Sequence, residues 1–280
     1  MNGLTKKREQ LLALISSYES CAVAFSAGVD STVVAKAAQL AIGDNAVAVT
    51  GTSASLATGE LDEAKQLAEL IGIRHIVVST DEFADGNYTR NAPDRCYHCK
   101  TELYTKLADM IDELGVKKIL NGANTDDLGD YRPGMKAASE HCVMSPLAEC
   151  NINKQEVRQL AAEWNLPIWD KPATPCLSSR IAYGEQVTPD RLNMIDRAEH
   201  YLRDQGLRTV RVRYHKGDMA RLEIPAAELP KIVDETFRNS LTAHLTSLGF
   251  RFITLDLEGF RSGSLNTLVS VAELMNPQSG

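Results

Sequence analysis

Four short runs of β-branched and small apolar residues, at positions 22–26, 46–50, 75–80 and 117–122, constrain this chain more than any other feature. A helix-length stretch separates each run from the next. Within 60–71 the apolar residues Leu61, Ala64, Leu67, Ala68 and Ile71 recur at a helical period, and 103–114 repeats the pattern. Strands alternating with amphipathic helices form a parallel sheet covered on both faces. Such sheets bind ligands in the crevice at the strands' C-terminal ends. The expected class is therefore α/β.

The first run, Ala22-Val23-Ala24-Phe25, leads into Ser26-Ala27-Gly28-Val29-Asp30-Ser31 and then into a helix-like segment over 32–40. Small residues let backbone N–H groups approach an anion closely, and the first turn of the following helix adds unpaired donors and positive dipole. Ser26 and Ser31 supply hydroxyls, and Asp30 is a carboxylate of the kind that holds Mg2+. The lysine of a Walker A loop is absent, so a kinase-type phosphate loop is excluded. The plainer reading is an ordinary strand-to-helix turn with a serine cap.

Lys and Arg total 30 against 37 Asp and Glu, a formal charge of −7. That balance argues against a general nucleic-acid binder held by phosphate neutralisation. Positions 1–10 carry charges but lead into no signal-type apolar region, and no apolar run approaches membrane-spanning length, so we read a soluble cytoplasmic protein with no membrane partner. The six cysteines are then better explained as thiols or metal ligands than as a disulfide framework.

The 280 residues allow two domains. After a helix expected over 154–164, turn formers accumulate through Pro167, Pro172, Pro175 and Gly184. We place the boundary near 183, giving domains 1–183 and 184–280. The second opens on Thr188-Pro189-Asp190, an N-cap with proline at the first helical position, and a helix to about Gln205 should follow. Positions 208–214 and 219–224 alternate as a hairpin turning at Lys216-Gly217-Asp218. One long helix is expected through Leu229, Ile232, Val233, Phe237, Leu241, Leu245 and Leu248, then a strand over 251–257. This is a small α+β unit.

Cys96-Tyr97-His98-Cys99 has the spacing that lets two thiolates share a metal or a cluster. The same spacing serves a redox pair at a helix start just after a strand. Cys176, in Pro175-Cys176-Leu177-Ser178-Ser179-Arg180, is a third thiol of interest, and Arg180 folded back on it would favour the thiolate. Cys21, Cys142 and Cys150 lie in or beside apolar segments and read as small core hydrophobes.

The loop at 26–31 resembles the PP-loop of the ATP pyrophosphatase superfamily, whose members cleave ATP between the α and β phosphates. Its first domain is accordingly expected to be a parallel-sheet PP-loop domain of the adenine nucleotide alpha hydrolase-like kind. Ala27 stands where that superfamily more often has glycine. Alanine tolerates positive φ poorly, so a slightly different turn with ATP binding retained is expected.

Three further segments narrow the resemblance. They are Asp94-Arg95-Cys96-Tyr97-His98-Cys99-Lys100, the stretch from Asn124 through Asp127 to Gly134, and Lys171-Pro172-Ala173-Thr174-Pro175-Cys176-Leu177-Ser178-Ser179-Arg180-Ile181. With Leu255 to Ser264 they resemble the LarE family of ATP-dependent sulfur transferases across almost the whole chain. The resemblance implies adenylation of the carboxylates of pyridinium-3,5-biscarboxylic acid mononucleotide, a small-molecule nucleotide substrate. Sulfur then displaces AMP, the route to the nickel-pincer nucleotide. It implies ATP and Mg2+ at Ser26, Ala27, Gly28, Val29, Asp30 and Ser31, with Asp127 assisting from the same sheet edge. One kind of member gives up the sulfur of a single cysteine at the position of Cys176, leaving dehydroalanine. Another has three cysteines. Cys96, Cys99 and Cys176 match the second kind, so the implied cofactor is a 4Fe-4S cluster on three thiolates, its open iron carrying a sulfide.

Arg211 and Arg213 alternate onto one face of a predicted strand and match the family's phosphate-binding arginines; otherwise they are a solvated strand face. Ser179 and Arg180 would orient the acyl-adenylate. Glu199 and Glu223 resemble acidic family positions near the metal and substrate, or else are ordinary surface carboxylates. Asp126 and Asp130 are candidate turn caps, and Arg261-Ser262-Gly263-Ser264 is a candidate anion loop or subunit contact. The resemblance also implies a homo-oligomer, a hexamer. The nearest rivals are a PP-loop tRNA thiolase, which the acidic charge disfavours, and a non-catalytic ATP-binding module or iron-sulfur sensor. An amidotransferase would need a glutaminase domain, which is absent.

Overall fold

The computed structural model describes residues 3–128, 133–172, 174–261 and 264–265. In chain order the elements are α1 (Gly3–Ser16), β1 (Cys21–Ala24), α2 (Val29–Ile42), β2 (Ala46–Thr52), α3 (Glu60–Ile71), β3 (Arg74–Ser79), α4 (Gly86–Thr89) and α5 (Arg95–Asp109). There follow α6 (Ile111–Leu114), β4 (Lys118–Leu120), α7 (Pro133–Glu140), α8 (Pro146–Glu149), α9 (Lys154–Glu163) and α10 (Pro189–Asp204). The chain closes on β5 (Arg211–His215), β6 (Met219–Glu223), α11 (Leu229–Val233), α12 (Glu235–Ser247) and β7 (Phe252–Leu255). Two compact units result. One comprises 1–53, 59–82 and 96–174; the other comprises 54–58, 83–95 and 175–280.

The first unit contains a parallel sheet in the order β3-β2-β1-β4, with Cys21 opposite both Ala46 and Lys118. Period-two alternation divides its strands between two cores. Cys21, Val23, Ala46 and Ala48 face a cluster with Leu11, Ile15, Val33, Leu67 and Leu160 from the helices. Ala22, Ala24, Val47 and Val49 face a second cluster with Tyr104, Leu107 and Ala137. All four residues of β1 are buried, as expected of a central parallel strand. The strand order reverses at β1, whose neighbours are β2 and β4. The loops after β1 and β4 therefore flank the crevice where doubly wound sheets take ligands.

The second unit contains the sheet β5-β6-β7. Its β5–β6 pair is antiparallel and turns through 216–218, where Gly217 and Asp218 have positive φ; β7 adds parallel to β6. Thr188 accepts from Arg191 N at 3.3 Å and starts α10 on Pro189, as its sequence predicts.

Two sequence expectations are corrected. The single long helix beyond Leu229 is broken, because Asp234 adopts extended backbone and its carboxylate accepts from Phe237 N at 3.0 Å, capping α12. Cys142 is exposed rather than packed. It has φ +53 just past α7, where its N–H reaches Ser139 O while Val143 N reaches Ala138 O, and the chain turns outward.

Candidate functional site

The loop at 26–31 occupies the turn from β1 into α2. Gly28 is the N-cap of α2 with no side-chain cap, so no capping oxygen takes up the helix's first donors. Ser31 Oγ accepts from Ser26 N at 3.2 Å and donates to Gly28 O at 3.1 Å. Ser26 Oγ lies 3.2 Å from it. Ala27 takes φ +55, the left-handed conformation that its sequence position was expected to resist. The residue is 1% exposed. That burial contributes on the order of the 1 kcal/mol which the conformation costs, and this accounts for alanine here.

The β4 loop presses against the same helix end. A Cβ on Gly122 would lie 2.7 Å from Ser31 N and 3.0 Å from Asp30 C, so only glycine permits the approach. Asn124, just beyond, donates from Nδ2 to Asp30 Oδ1 at 3.1 Å. Asp30 Oδ2 receives Lys154 Nζ at 2.5 Å. Lys154 opens α9, and its own N–H donates to Asp126 Oδ2 at 3.1 Å. Asp127 accepts from Asn124 N at 3.0 Å and closes a capping box with Asn124. The turn expected to be capped by Asp126 is capped by Asn124 and Asp127, while Asp126 takes the first N–H of α9; Asp130 lies outside the described residues. Neither Lys154 nor Asn124 is a site residue by sequence, because only the fold brings residues 124 and 94 positions away to the Asp30 carboxylate. The donor set fits Mg2+, a hard cation that takes one or two carboxylates together with substrate phosphates.

In the first unit, Cys96 is exposed and Cys99 half-buried in the first turn of α5. In the second, Cys176 is half-buried and caps a 3-10 turn over Leu177–Arg180. Among the described residues no three His, Cys, Asp or Glu side chains gather as a metal-holding group. The three thiols have the chemistry of a three-thiolate set. Arg180 folds back as expected, yet onto backbone: Nη1 donates to the carbonyls of Pro175 and Cys176, the latter at 3.0 Å, and to Ser179 Oγ at 3.2 Å. The Cys176 segment is held further by residues the sequence reading missed. Ser178 Oγ lies 2.6 Å from Tyr88 OH and 3.1 Å from Ser55 Oγ, and Arg95 Nη1 donates to Ser178 O at 2.8 Å.

The second unit also buries a charge network. Glu199, fully buried, accepts from Arg180 Nε and Val212 N at 3.0 Å each and from Arg203 Nη2 at 2.7 Å. Glu223, equally buried, accepts from Arg213 Nε at 3.0 Å, Arg221 Nη2 at 2.9 Å and the Ser264 hydroxyl. Neither is the surface carboxylate that its sequence allowed. Arg211 and Arg213 share one face of β5, as predicted, and both are buried. Arg213 also donates to Ser179 O at 3.0 Å. Arg211 donates to Val210 O at 2.8 Å and lies over the Phe260 ring. Burial, then the like charge of Arg180, lowers its pKa to about 10, so it remains a cation at neutral pH. Arg180 thus pairs with Glu199 and Arg213 with Glu223, and Arg211 is buried close to Arg180 and Glu199. Arg261 is held by Asp256 and Glu258; Ser262 and Gly263 of that loop lie outside the described residues.

The parallel sheet, its reversal at β1 and the loop at the α2 N-terminus define an α/β protein with a PP-loop domain. No protein-family model matches the chain. It is 40% identical over 275 residues to the pyridinium-3,5-bisthiocarboxylic acid mononucleotide synthase of Lactiplantibacillus plantarum, covering 98% of this chain and 99% of that protein. An uncharacterized protein of Synechocystis is 45% identical over 267 residues, 95% of this chain and 99% of its own. A tRNA-specific 2-thiouridylase of Caulobacter is 29% identical over 187 residues, 53% of this chain and 46% of its own. The chain belongs to the pyridinium-3,5-bisthiocarboxylic acid mononucleotide synthase family, LarE.

Proposed function

We propose that this chain inserts sulfur into the carboxylates of pyridinium-3,5-biscarboxylic acid mononucleotide, using ATP, in the biosynthesis of a nickel-pincer cofactor. A substrate carboxylate oxygen attacks the α-phosphorus of ATP, the bond to the bridging β-phosphate oxygen breaks, and pyrophosphate leaves toward the loop at 26–31. A sulfur nucleophile then attacks the acyl carbon and expels AMP. Asp30 would hold Mg2+, and the hydroxyls of Ser26 and Ser31 with the α2 N-terminus would receive the phosphates. The buried cation set carries the reading. A mononucleotide with one phosphate and two carboxylates calls for cations, and the second unit buries Arg180, Arg211 and Arg213 close together.

The sulfur source in this reading is a 4Fe-4S cluster on Cys96, Cys99 and Cys176, which would supply sulfide. The chain's own contribution is the three thiols, with Cys176 fixed through Arg180 and Ser178. The test combines ATP, Mg2+ and the biscarboxylate nucleotide, following pyrophosphate release and thiocarboxylate formation by mass. Release that depends on the nucleotide and falls at least tenfold in Asp30→Asn is expected; ATP binding without release overturns the enzyme. Iron and acid-labile sulfide after anoxic reconstitution, with and without Cys176→Ala, test the source. Absence of iron, with Cys176 converted to dehydroalanine after turnover, would replace the cluster by a sacrificial cysteine.

A further inference from the structure

Lys154 has no part in the expected chemistry of the loop, yet it makes an ion pair with the loop's carboxylate at 2.5 Å. We infer that Lys154 is the loop's phosphate-binding lysine, parked on Asp30 until nucleotide arrives; the inference rests on the ATP-using reading above. The loop lacks the lysine that a Walker motif places on terminal phosphates, so a cation from elsewhere is needed to neutralise them. Lys154 meets that need by position. Its backbone is pinned to the β4 loop through Asp126, the Asn153–Glu156 capping box fixes the start of α9 around it, and its side chain is 35% exposed and able to swing. Gly122 holds that loop in contact with the end of α2 where the phosphates would sit.

Asp30 has both oxygens occupied, by Asn124 and Lys154. A magnesium ion arriving with ATP requires one of them. Transfer of the ammonium from Asp30 Oδ2 to a phosphate oxygen frees that ligand and keeps every charge paired. No bond to carbon or phosphorus changes in the exchange.

Calorimetric titration of wild type, Lys154→Ala and Lys154→Arg with pyrophosphate, ATP and AMP, each with and without Mg2+, tests this. Lys154→Ala should lose roughly tenfold or more in affinity for ATP and pyrophosphate while AMP changes by less than about twofold, and Lys154→Arg should recover part of the loss. A purely structural lysine would move all three ligands alike. In the wild-type protein, pyrophosphate should protect Lys154 from amine-directed acylation, mapped by peptide mass, and adenosine should not; this stands even if a variant misfolds. Equal phosphate affinity in Lys154→Ala, or labelling of Lys154 indifferent to pyrophosphate, overturns the inference alone. Failure of the wild type to bind ATP or pyrophosphate at all overturns the ATP reading as well.

Discussion

Glu199 and Arg211 occupy the same buried network with opposite consequences. Glu199 accepts from Arg180, whose side chain is 2% exposed. Removing the carboxylate leaves a guanidinium charged in a dry site, so Glu199→Ala should lower unfolding free energy by about 3–5 kcal/mol, read from urea unfolding. A loss under about 1 kcal/mol would mean that water reaches Arg180. Arg211 is the reverse case. Its pKa, brought down to about 10 by burial and by Arg180, shows that folding disfavours its charge. Arg211→Met should leave the urea midpoint level or raise it, while KM for the anionic nucleotide rises roughly tenfold or more. A lower midpoint with unchanged KM would assign Arg211 to the scaffold instead.

Among the elements, α11 and α12 show how a single residue divides what periodicity joins. The apolar positions from Leu229 to Leu248 continue in phase across Asp234, which nevertheless caps a new helix at 3.0 Å from Phe237 N. Asp234→Ala should cost about 1 kcal/mol, and Asp234→Asn a good deal less, by thermal unfolding. The sheet elements were more legible. Short apolar runs beside small-residue turns leave few alternatives for a buried parallel strand, so β1 to β4 and the loop after β1 follow from their own residues. Thr188-Pro189 similarly marks α10 because both signals are local. Tertiary pairings were not legible. Lys154 on Asp30, Tyr88 on Ser178 and the inward turn of Glu199 depend on segments far apart in sequence. No period or spacing encodes those meetings. The short segments 54–58 and 83–95 join the second unit for the same reason: Leu177 N donates to Ser55 O at 2.9 Å and Asn91 Nδ2 to Ala182 O at 2.8 Å.

For the molecule as a whole, buried thiols and phenols shape the response to alkali, among them Tyr214 of the second unit, which burial pushes up to about 12, and a group in the first unit's core. Burial raises the thiol of Cys21 from 9.0 to about 12, and raises the Cys150 thiol and the Tyr18 phenol as well, the last two further opposed by Glu149. Each group stays neutral in the folded chain at a pH where the unfolded chain releases its proton. With folded pKa values above unfolded ones, their contribution is complete below about pH 9 and declines as pH climbs through the folded values. At pH 10, one unit above its unfolded value, Cys21 alone should remove roughly 1 kcal/mol, and Cys150 adds in the same direction. The urea midpoint should therefore hold between pH 7 and 8 and fall between pH 8 and 10. Cys21→Ala lowers the midpoint at every pH through its cavity but should flatten that fall, since alanine has no proton to lose. An equally steep decline in the variant would move the alkaline sensitivity away from β1.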